Sequence, residues 1–378
     1  MEQKLIDSFD RVYIHTSAIE SSVAQNAYKL FDSSKIEVVE SKPLQNLDGK
    51  ISATDFSSSK RLLYLTDYKG EFFKRCPGAK PGLTCCNYFV LNLGIQCNMN
   101  CSYCYLQSYI NSPLLTVYTN IEKALAELKT IAVESPEKYF RVGTGETTDS
   151  LSLDDLTLYS RRLIEFFRDL PKWKLEFKTK SSKVDQFLDV EHAGNVICSW
   201  SVNPQNIIEK EEHLTASLEQ RLSAARKCRD KGFTIAFHFD PMIYHSDWRE
   251  NYGKLIEQIT TQFRPEEVIY ITVGALRYQP EQRVMMRERF GSKSLATAGE
   301  MFTSTDGKMR YDQSIRTEMF DFIQKKFKEK SLQTTSNPTT KQASWRVSLC
   351  MEVPETWSMT MASSPSKIPE LRELFKPS

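Results

Sequence analysis

The sequence has no strong charge bias and no long apolar run. Its 50 lysines and arginines balance 48 acidic residues, so the net charge of +2 argues neither for nor against nucleic-acid binding. No apolar run approaches the roughly eighteen residues that span a bilayer, and we expect no membrane association. The N-terminus lacks the charged and apolar regions of a secretory signal. We therefore expect a cytoplasmic protein, in which nine cysteines indicate metal binding or catalysis before disulfides.

Strand and helix patterns alternate through the middle of the chain. The candidate strands cover 88–94, 138–143, 173–179, 195–201, 233–239 and 267–274. Helical patterns lie between them at 120–133, 152–169, 182–190, 216–231 and 248–262. Strands separated by helices imply right-handed βαβ units, which predicts an α/β fold with a parallel sheet curled into a partial barrel.

Three regions follow from this pattern in a chain of 378 residues. Residues 1–86 form an N-terminal α/β extension, and residues 87–290 form the partial barrel. Residues 291–378 form a C-terminal extension of helix and loops, in which we expect a helix near 312–329 and a polar, mobile segment at 331–343.

A short cysteine loop directly follows the first candidate strand of the barrel. Cys97, Cys101 and Cys104 have the spacing C-x3-C-x2-C. Thiolates in so short a loop converge on one soft metal centre, and three ligands leave a fourth position open. A structural zinc site or a cluster held by four cysteines leaves none open. A zinc loop or buried free thiols are the alternatives.

Another group of cysteines precedes the barrel. Cys76, Cys85 and Cys86 lie in a segment with glycine and proline, and the vicinal pair fits an ordinary loop. A second, auxiliary metal cluster is the other interpretation.

The cysteine spacing, with an aromatic residue before the third cysteine, resembles the radical S-adenosylmethionine (SAM) superfamily. The stretch CNMNCSYCYLQSYINSPLLTVYTN, residues 97–120, is similar to the spore photoproduct lyases, and so are FKTK at 177–180 and WSVNP at 200–204. This resemblance implies a partial (β/α)6 TIM-like barrel that carries a 4Fe–4S cluster. It implies reductive cleavage of SAM to a 5′-deoxyadenosyl radical, which abstracts hydrogen from a thymine dimer in DNA. We also expect a reductant protein of the flavodoxin or ferredoxin type and a monomeric chain.

The resemblance assigns roles to individual residues. Cys97, Cys101 and Cys104 match the cluster ligands. Tyr103 matches the aromatic residue beside the adenosine, and Tyr105 matches a tyrosine used in radical transfer. Two further positions match residues that contact SAM, although each also suits an ordinary barrel strand: Lys180 and Ser201.

One position departs from the family pattern. The lyases place a cysteine after the second strand, where it returns a hydrogen atom to the product radical, and here Glu146 occupies the matching position. A carboxylate cannot donate hydrogen as a thiol does, but it can accept hydrogen bonds from an ammonium group. The sequence Gly-Thr-Gly-Glu resembles the motif by which many radical enzymes hold the SAM amino group. A glycine turn with an acidic residue at a helix N-terminus is the alternative.

No other cysteine clearly replaces the missing thiol. Alternation along its strand turns Cys198 outward toward the helices if Ser201 faces the barrel interior. Cys228 lies on a helical pattern, which leaves Cys350 as the remaining candidate, in an apolar patch of unknown placement. On this basis we expect SAM cleavage but poor repair of spore photoproduct.

Two polar residues end the fifth candidate strand. Alternation puts His238 and Asp240 on one face, where they bind the cofactor or substrate or form a polar pair that caps the barrel. A basic stretch follows the sixth strand, with Arg277, Arg289 and the aromatic Tyr278 among its members. It can track a phosphate backbone or form a solvated helix face, so nucleic acid remains an open partner.

Three functions follow from these observations. The first is a radical SAM lyase that acts on a DNA lesion. The second is the same chemistry on a peptide, a nucleoside or a small molecule, which the loss of the donor cysteine favours. The third is a non-catalytic iron–sulfur sensor, against which the cofactor-binding residues argue.

Overall fold

The computed structural model describes residues 2, 4–43, 51–79, 82–84, 86–333 and 344–360. In chain order the strands are Arg11–His15 (β1), Ile36–Val39 (β2), Leu62–Thr66 (β3), Phe73–Arg75 (β4), Tyr88–Leu91 (β5), Gly94–Ile95 (β6), Asn100–Cys101 (β7), Leu115–Tyr118 (β8), Phe140–Gly143 (β9), Trp173–Thr179 (β10), Val196–Ser201 (β11), Glu212–His213 (β12), Thr234–Met242 (β13), Val268–Ala275 (β14), Arg277–Tyr278 (β15), Phe302–Thr303 (β16), Met309–Arg310 (β17) and Val347–Leu349 (β18). The α-helices are Leu5–Ser8 (α1), Ser22–Leu30 (α2), Ala53–Ser58 (α3), Leu106–Tyr109 (α4), Ile121–Glu134 (α5), Asp154–Thr157 (α6), Tyr159–Arg168 (α7), Gln205–Glu211 (α8), Leu218–Asp230 (α9), Trp248–Gln262 (α10), Gln282–Phe290 (α11), Leu295–Ala298 (α12), Gln313–Gln333 (α13) and Pro354–Thr360 (α14).

The larger sheet has eight strands in the order β18-β14-β13-β11-β10-β9-β5-β4. Its six middle strands are the six that the sequence predicts, and they run parallel to one another. Each end of the sheet gains a strand that the sequence pattern did not reveal. β18 pairs parallel with β14, and β4 pairs antiparallel with β5. The fold is therefore mixed α/β, with a sheet curled into a half-barrel.

The second sheet lies N-terminal in the chain and has the order β2-β1-β3-β8-β6. Its strands are parallel except for the short β6, which runs antiparallel to β8. Because β6 and β8 flank the cysteine loop in sequence, this sheet and the half-barrel both position the loop. Every helix in the described ranges is too short or too polar to span a bilayer.

The predicted helix at 182–190 is wrong. The segment forms successive turns, in which Phe187 N donates to Val184 O and Val190 N donates to Phe187 O at 3.2 and 3.0 Å. The turns bury Val184, Phe187 and Val190, and this three-residue spacing imitates the apolar face of a helix.

The predicted mobile segment 331–343 lies only partly within the described residues. Residues 331–333 belong to the last turn of α13, and 334–343 lie outside the described ranges.

Strand alternation divides the half-barrel into an interior and an outer face. Ser199 donates to Glu176 at 2.9 Å inside the sheet, and its neighbour Cys198 lies beside Cys228 of α9 on the outer face. This is the orientation that the sequence predicts for Cys198. Ser201 follows Ser199 by two residues and therefore shares the interior face.

Candidate active site

The three cysteines of the loop lie close to one another at one end of the half-barrel. Cys101 is buried, and Cys97 and Cys104 are half-buried. Burial raises the pKa of Cys97 to about 12, with Asp149 and Cys104 adding to the effect and Lys60 opposing it. Metal binding deprotonates such thiols, and the cationic side chains Lys60, Lys180 and Arg289 lie nearby to balance the charge.

Three thiolates can hold a single metal ion or a cluster, and the two need different sulfur spacings. Across the residues described, no group of three or more histidine, cysteine or acidic side chains converges tightly enough to hold one ion. Zinc needs its sulfurs at about 2.3 Å from one point, so they lie roughly 3.8 Å apart. A 4Fe–4S cluster takes each thiolate on a different iron and therefore tolerates wider spacing. The donor set fits a cluster held by three cysteines, and the zinc alternative stays open.

The loop is fastened by a segment that the sequence reasoning missed. The short strand β12 pairs antiparallel with β7, which joins Glu212 to Cys101 in register. Glu211 accepts a hydrogen bond from the Ser102 hydroxyl, and its carboxylate also accepts from Ser294 and from the Leu295 amide, both at 2.7 Å. The loop therefore has a rigid floor before any metal is bound.

Lys60 secures the other side of the loop. Its buried ammonium donates to the carbonyls of Cys97 and Met99 at 2.7 Å each and to Gln96 Oε1 at 3.1 Å. Three acceptors satisfy all three donors of an ammonium, which makes the burial tolerable. Lys60 comes from the N-terminal region, so that region takes part in shaping the site.

Two arginines of the basic stretch after the sixth strand point into the fold. Arg289 turns inward, donating to Gln107 Oε1 at 2.6 Å and to Asn100. Arg283 donates to the Thr297 carbonyl at 3.1 Å. Tyr278 is only 2% exposed and offers no face for base stacking. The sequence pattern showed where these charges lie in the chain but not that they point into the fold.

Tyr103 joins the cysteine loop to a buried ionic network. Its hydroxyl donates to Glu212, which also accepts from Asn203 at 2.8 Å and pairs with Arg221 at 2.6 Å. Burial raises the pKa of Glu212, but Arg221 and Lys180 outweigh it and hold the pKa at about 2. Glu212 is therefore ionised at neutral pH.

Lys180 and Ser201 both border this network. The Lys180 ammonium lies 5.8 Å from the centre of the Tyr103 ring. The Ser201 carbonyl accepts from Arg221 at 2.9 Å. The structure thus brings both residues to the side of the cysteine loop where Tyr103 lies.

Glu146 lies in the loop after β9, across from Tyr105. The Tyr105 hydroxyl donates to the Glu146 carbonyl, and this tyrosine remains 36% exposed. Burial raises the pKa of the Glu146 carboxyl, against the opposing charges of Lys178, Lys308 and Arg277. The carboxylate therefore lies among cations rather than at a helix N-terminus, since the next helix begins at residue 154.

The glycines before Glu146 are required by close packing. A Cβ on Gly143 would lie 1.5 Å from the Tyr88 hydroxyl oxygen, and one on Gly145 would lie 2.7 Å from the Lys178 carbonyl oxygen. The backbone therefore passes close to its neighbours and brings Glu146 to the rim of the half-barrel.

His238 and Asp240 share a face, as predicted, but each has its own partner. His238 Nε2 lies 3.0 Å from Glu176, and Asp240 accepts two hydrogen bonds from Arg277 at 2.8 and 3.2 Å. Burial lowers the pKa of His238 to about 4, with Lys178 adding to the effect. A neutral histidine that donates from Nε2 to a carboxylate leaves Nδ1 as an acceptor.

Glu176 accepts several hydrogen bonds in the interior of the barrel, and the sequence reasoning did not identify it. Its carboxylate accepts from Tyr270 at 2.6 Å as well as from Ser199 and His238, and Arg141 lies 3.5 Å away. Burial raises the pKa of Glu176, but Arg141 and the bond from His238 outweigh it and give a pKa of about 2. Glu176 could have been identified from the sequence, because it is an acidic residue in the middle of a strand predicted to be buried.

The remaining cysteines separate into different environments. Cys76 Sγ accepts from the Gly78 amide at 3.4 Å, and Cys86 packs against the interior residues Ile197, Ala236 and Tyr270. Cys85 lies outside the described residues. The auxiliary cluster stays a prediction.

The family model described as "Spore photoproduct lyase" matches residues 8–337 of this chain. The chain belongs to the spore photoproduct lyase family. It is 28% identical over 282 residues to spore photoproduct lyase of Bacillus subtilis (strain 168), covering 72% of this chain and 80% of that protein. It is 26% identical over 281 residues to the lyase of Geobacillus sp. (strain Y412MC61), with the same coverages. As a member of this family, the chain is a radical SAM enzyme.

The fold of this spore photoproduct lyase family member agrees with solved structures. A lyase variant solved with bound AdoMet and dinucleoside spore photoproduct superposes with a TM-score of 0.74 at 23% identity, covering 85% of this chain and 96% of that one. A lyase complexed with the dinucleoside spore photoproduct superposes with a TM-score of 0.72 at 22% identity, with the same coverages. The similarity therefore extends across both sheets rather than the half-barrel alone.

Proposed function

We propose that this protein cleaves SAM reductively at a 4Fe–4S cluster held by Cys97, Cys101 and Cys104, and repairs a thymine photolesion, spore photoproduct, in DNA. When bound, the cluster and SAM supply a 5′-deoxyadenosyl radical that abstracts hydrogen from the substrate. The observation that carries the proposal is the three-thiol loop at the end of the half-barrel, within reach of charged residues that suit SAM. Membership of a lyase family replaces the sensor alternative.

By the same reasoning we propose the architecture, the location and the electron donor of the enzyme. The half-barrel is a partial (β/α)6 TIM-like barrel over residues 87–290, flanked by extensions at 1–86 and 291–378. The enzyme is cytoplasmic and monomeric, and it receives electrons from a flavodoxin- or ferredoxin-type protein. The similarity of fold to the solved lyases supports the barrel architecture.

Different residues of the chain bind different parts of SAM. Tyr103, held by Glu212, packs beside the adenosine, and Lys180 and Ser201 contact SAM next to it. Glu146 accepts hydrogen bonds from the SAM ammonium, because a half-buried carboxylate at the rim is the natural partner for that charge. Tyr105 lies beside it at the substrate side and takes part in radical transfer.

The interior polar residues act from the barrel floor and wall. Asp240, fixed by Arg277, presents a defined carboxylate to the cofactor or substrate. His238, fixed by Glu176, presents the acceptor Nδ1 to the same space. Their partners lock the side chains in place before any ligand binds.

A Glu146→Gln variant tests the ammonium contact. We expect intact folding and iron content, but SAM affinity lowered by about tenfold or more, because a charge-assisted hydrogen bond is worth roughly 1.5–3 kcal/mol. Calorimetry on the reconstituted protein measures this. Glu137→Gln, which changes an exposed carboxylate paired with Lys172, is the control and should bind normally. Equal affinity in both variants would remove Glu146 from the SAM site.

The substrate assignment needs an assay with the lesion itself. Anaerobically reconstituted enzyme, SAM and a reductant are incubated with dinucleoside spore photoproduct, and mass spectrometry follows 5′-deoxyadenosine and released thymine. We expect thymine release that depends on SAM and is absent with an undamaged dinucleotide. The carboxylate of Glu146 at the family's thiol position favours a second candidate, a non-DNA substrate. Formation of 5′-deoxyadenosine without loss of the lesion would select that candidate.

A further inference from the structure

The C-terminal region brings a thiol to the half-barrel. Cys350 directly follows β18, the strand added beside β14, and its amide donates to the Val273 carbonyl at 2.9 Å. Ser348, two residues earlier, lies 3.4 Å from Thr272 across the strand pair, oxygen to oxygen. Because β18 runs parallel to β14, Cys350 lies at the same end of the barrel as the cysteine loop.

The surroundings of Cys350 overlap with those of Glu146 in two cationic side chains. Arg277 Nη2 donates to Cys350 Sγ at 3.6 Å while the guanidinium holds Asp240. The charges of Arg277 and Lys178 act on both the Cys350 thiol and the Glu146 carboxyl. The two groups therefore lie near the same two cations at the mouth of the barrel.

A second observation indicates that this space receives a ligand. His238 is only 6% exposed, and its Nδ1 has no hydrogen-bond partner within the part of the chain that the structure describes. Buried polar atoms are normally paired, so an unpaired acceptor inside the barrel marks a position for a donor from a bound molecule. Asp240, two residues after His238, accepts from Arg277, and Arg277 also donates to Cys350 Sγ, so the thiol lies on this side of the barrel.

We infer that Cys350 is the hydrogen-atom donor that quenches the substrate-derived carbon radical, an inference that rests on the proposed function. The S–H bond breaks homolytically, a C–H bond forms on the product, and a thiyl radical remains on Cys350. One electron from the reductant that drives SAM cleavage, together with one solvent proton, returns the thiyl to the thiol. Burial raises the pKa of Cys350, which keeps the thiol protonated and able to donate.

A donor thiol at Cys350 changes the expected outcome of the repair reaction. Poor repair of spore photoproduct was expected because Glu146 replaces the family's donor thiol. Cys198 and Cys228 lie on the helix side, and Cys86 packs against the apolar interior cluster. Of these four thiols, Cys350 is the one that accepts a hydrogen bond from Arg277, and it allows clean product formation without a cysteine at position 146.

Solvent deuterium identifies the donor. A thiol exchanges its proton with D2O, so wild-type enzyme in D2O will place one deuterium in the released thymine. Cys350→Ser keeps an acceptor for Arg277, but its O–H bond is too strong to donate. We expect Cys350→Ser and Cys350→Ala to lower labelled thymine at least tenfold and to give adducts with the reductant, while 5′-deoxyadenosine still forms.

The controls separate this inference from the substrate assignment. Cys228→Ala removes a buried thiol on the outer face and should retain label and yield. Equal melting temperatures for the serine, alanine and control variants exclude misfolding as the cause. Labelled thymine at wild-type yield from both Cys350 variants would overturn the donor while the proposed function stands. Failure of wild type to consume the lesion would overturn both.

Discussion

Replacing any one of the three loop cysteines, Cys97, Cys101 or Cys104, with alanine will abolish cluster assembly. Wild-type protein reconstituted anaerobically should hold about four iron atoms per chain, and each variant should hold almost none. Two thiolates cannot retain a cluster that already has one iron without a protein ligand. Iron and sulfide analysis, together with the visible absorbance, measures the effect without any activity assay.

Two comparisons make this experiment specific. Cys228→Ala should keep full iron, since that thiol packs on the outer face of the half-barrel. If wild type holds about eight irons and Cys76→Ala or Cys86→Ala loses half, the auxiliary cluster is present as well. Full iron in all three loop variants would reject the central assignment, and stoichiometric zinc in wild type would return the loop to the zinc alternative.

The sequence predicted those parts of the structure that depend on residues close together in the chain. The six middle strands of the larger sheet have apolar runs and helical connections, which determine a parallel sheet with few alternatives. Alternation along one strand correctly turned Cys198 toward the helices. The cysteine loop carries its signal in eight consecutive residues, and its position after the first strand fixes the end of the barrel at which it lies.

The parts that were missed depend on contacts between distant segments. β18 is a three-residue strand separated from β14 by more than seventy residues, so no local pattern reports the pairing that brings Cys350 to the mouth. The pairing of β12 with β7 spans even more chain, over a hundred residues, and fastens the cysteine loop. The inward turn of Arg289 depends on acceptors from three other segments. Spacing along the sequence cannot indicate any of these.

An Arg221→Met variant will destabilise the fold by about 3–5 kcal/mol, because it leaves the Glu212 carboxylate buried without its ionic partner. Both side chains are 0% exposed and lie 2.6 Å apart. Arg221 also donates to the Ser201 carbonyl at the end of β11 and to Thr215 after β12, so its loss removes hydrogen bonds at both places. Chemical denaturation of the apo-protein followed by circular dichroism measures the loss.

Helix α9 supplies a matched control for this variant. Arg226→Met removes the same chemical group from an exposed pair with Glu219, where 0–1 kcal/mol is expected. Adding Glu212→Gln to Arg221→Met should restore part of the stability, because the buried charge is then gone while an acceptor for Tyr103 and Asn203 remains. Equal small losses in the Arg221 and Arg226 variants would mean that the ion pair does not hold β12 in place. A large loss specific to Arg221, partly recovered in the double variant, would establish this pair as the support beneath Tyr103 and the cysteine loop.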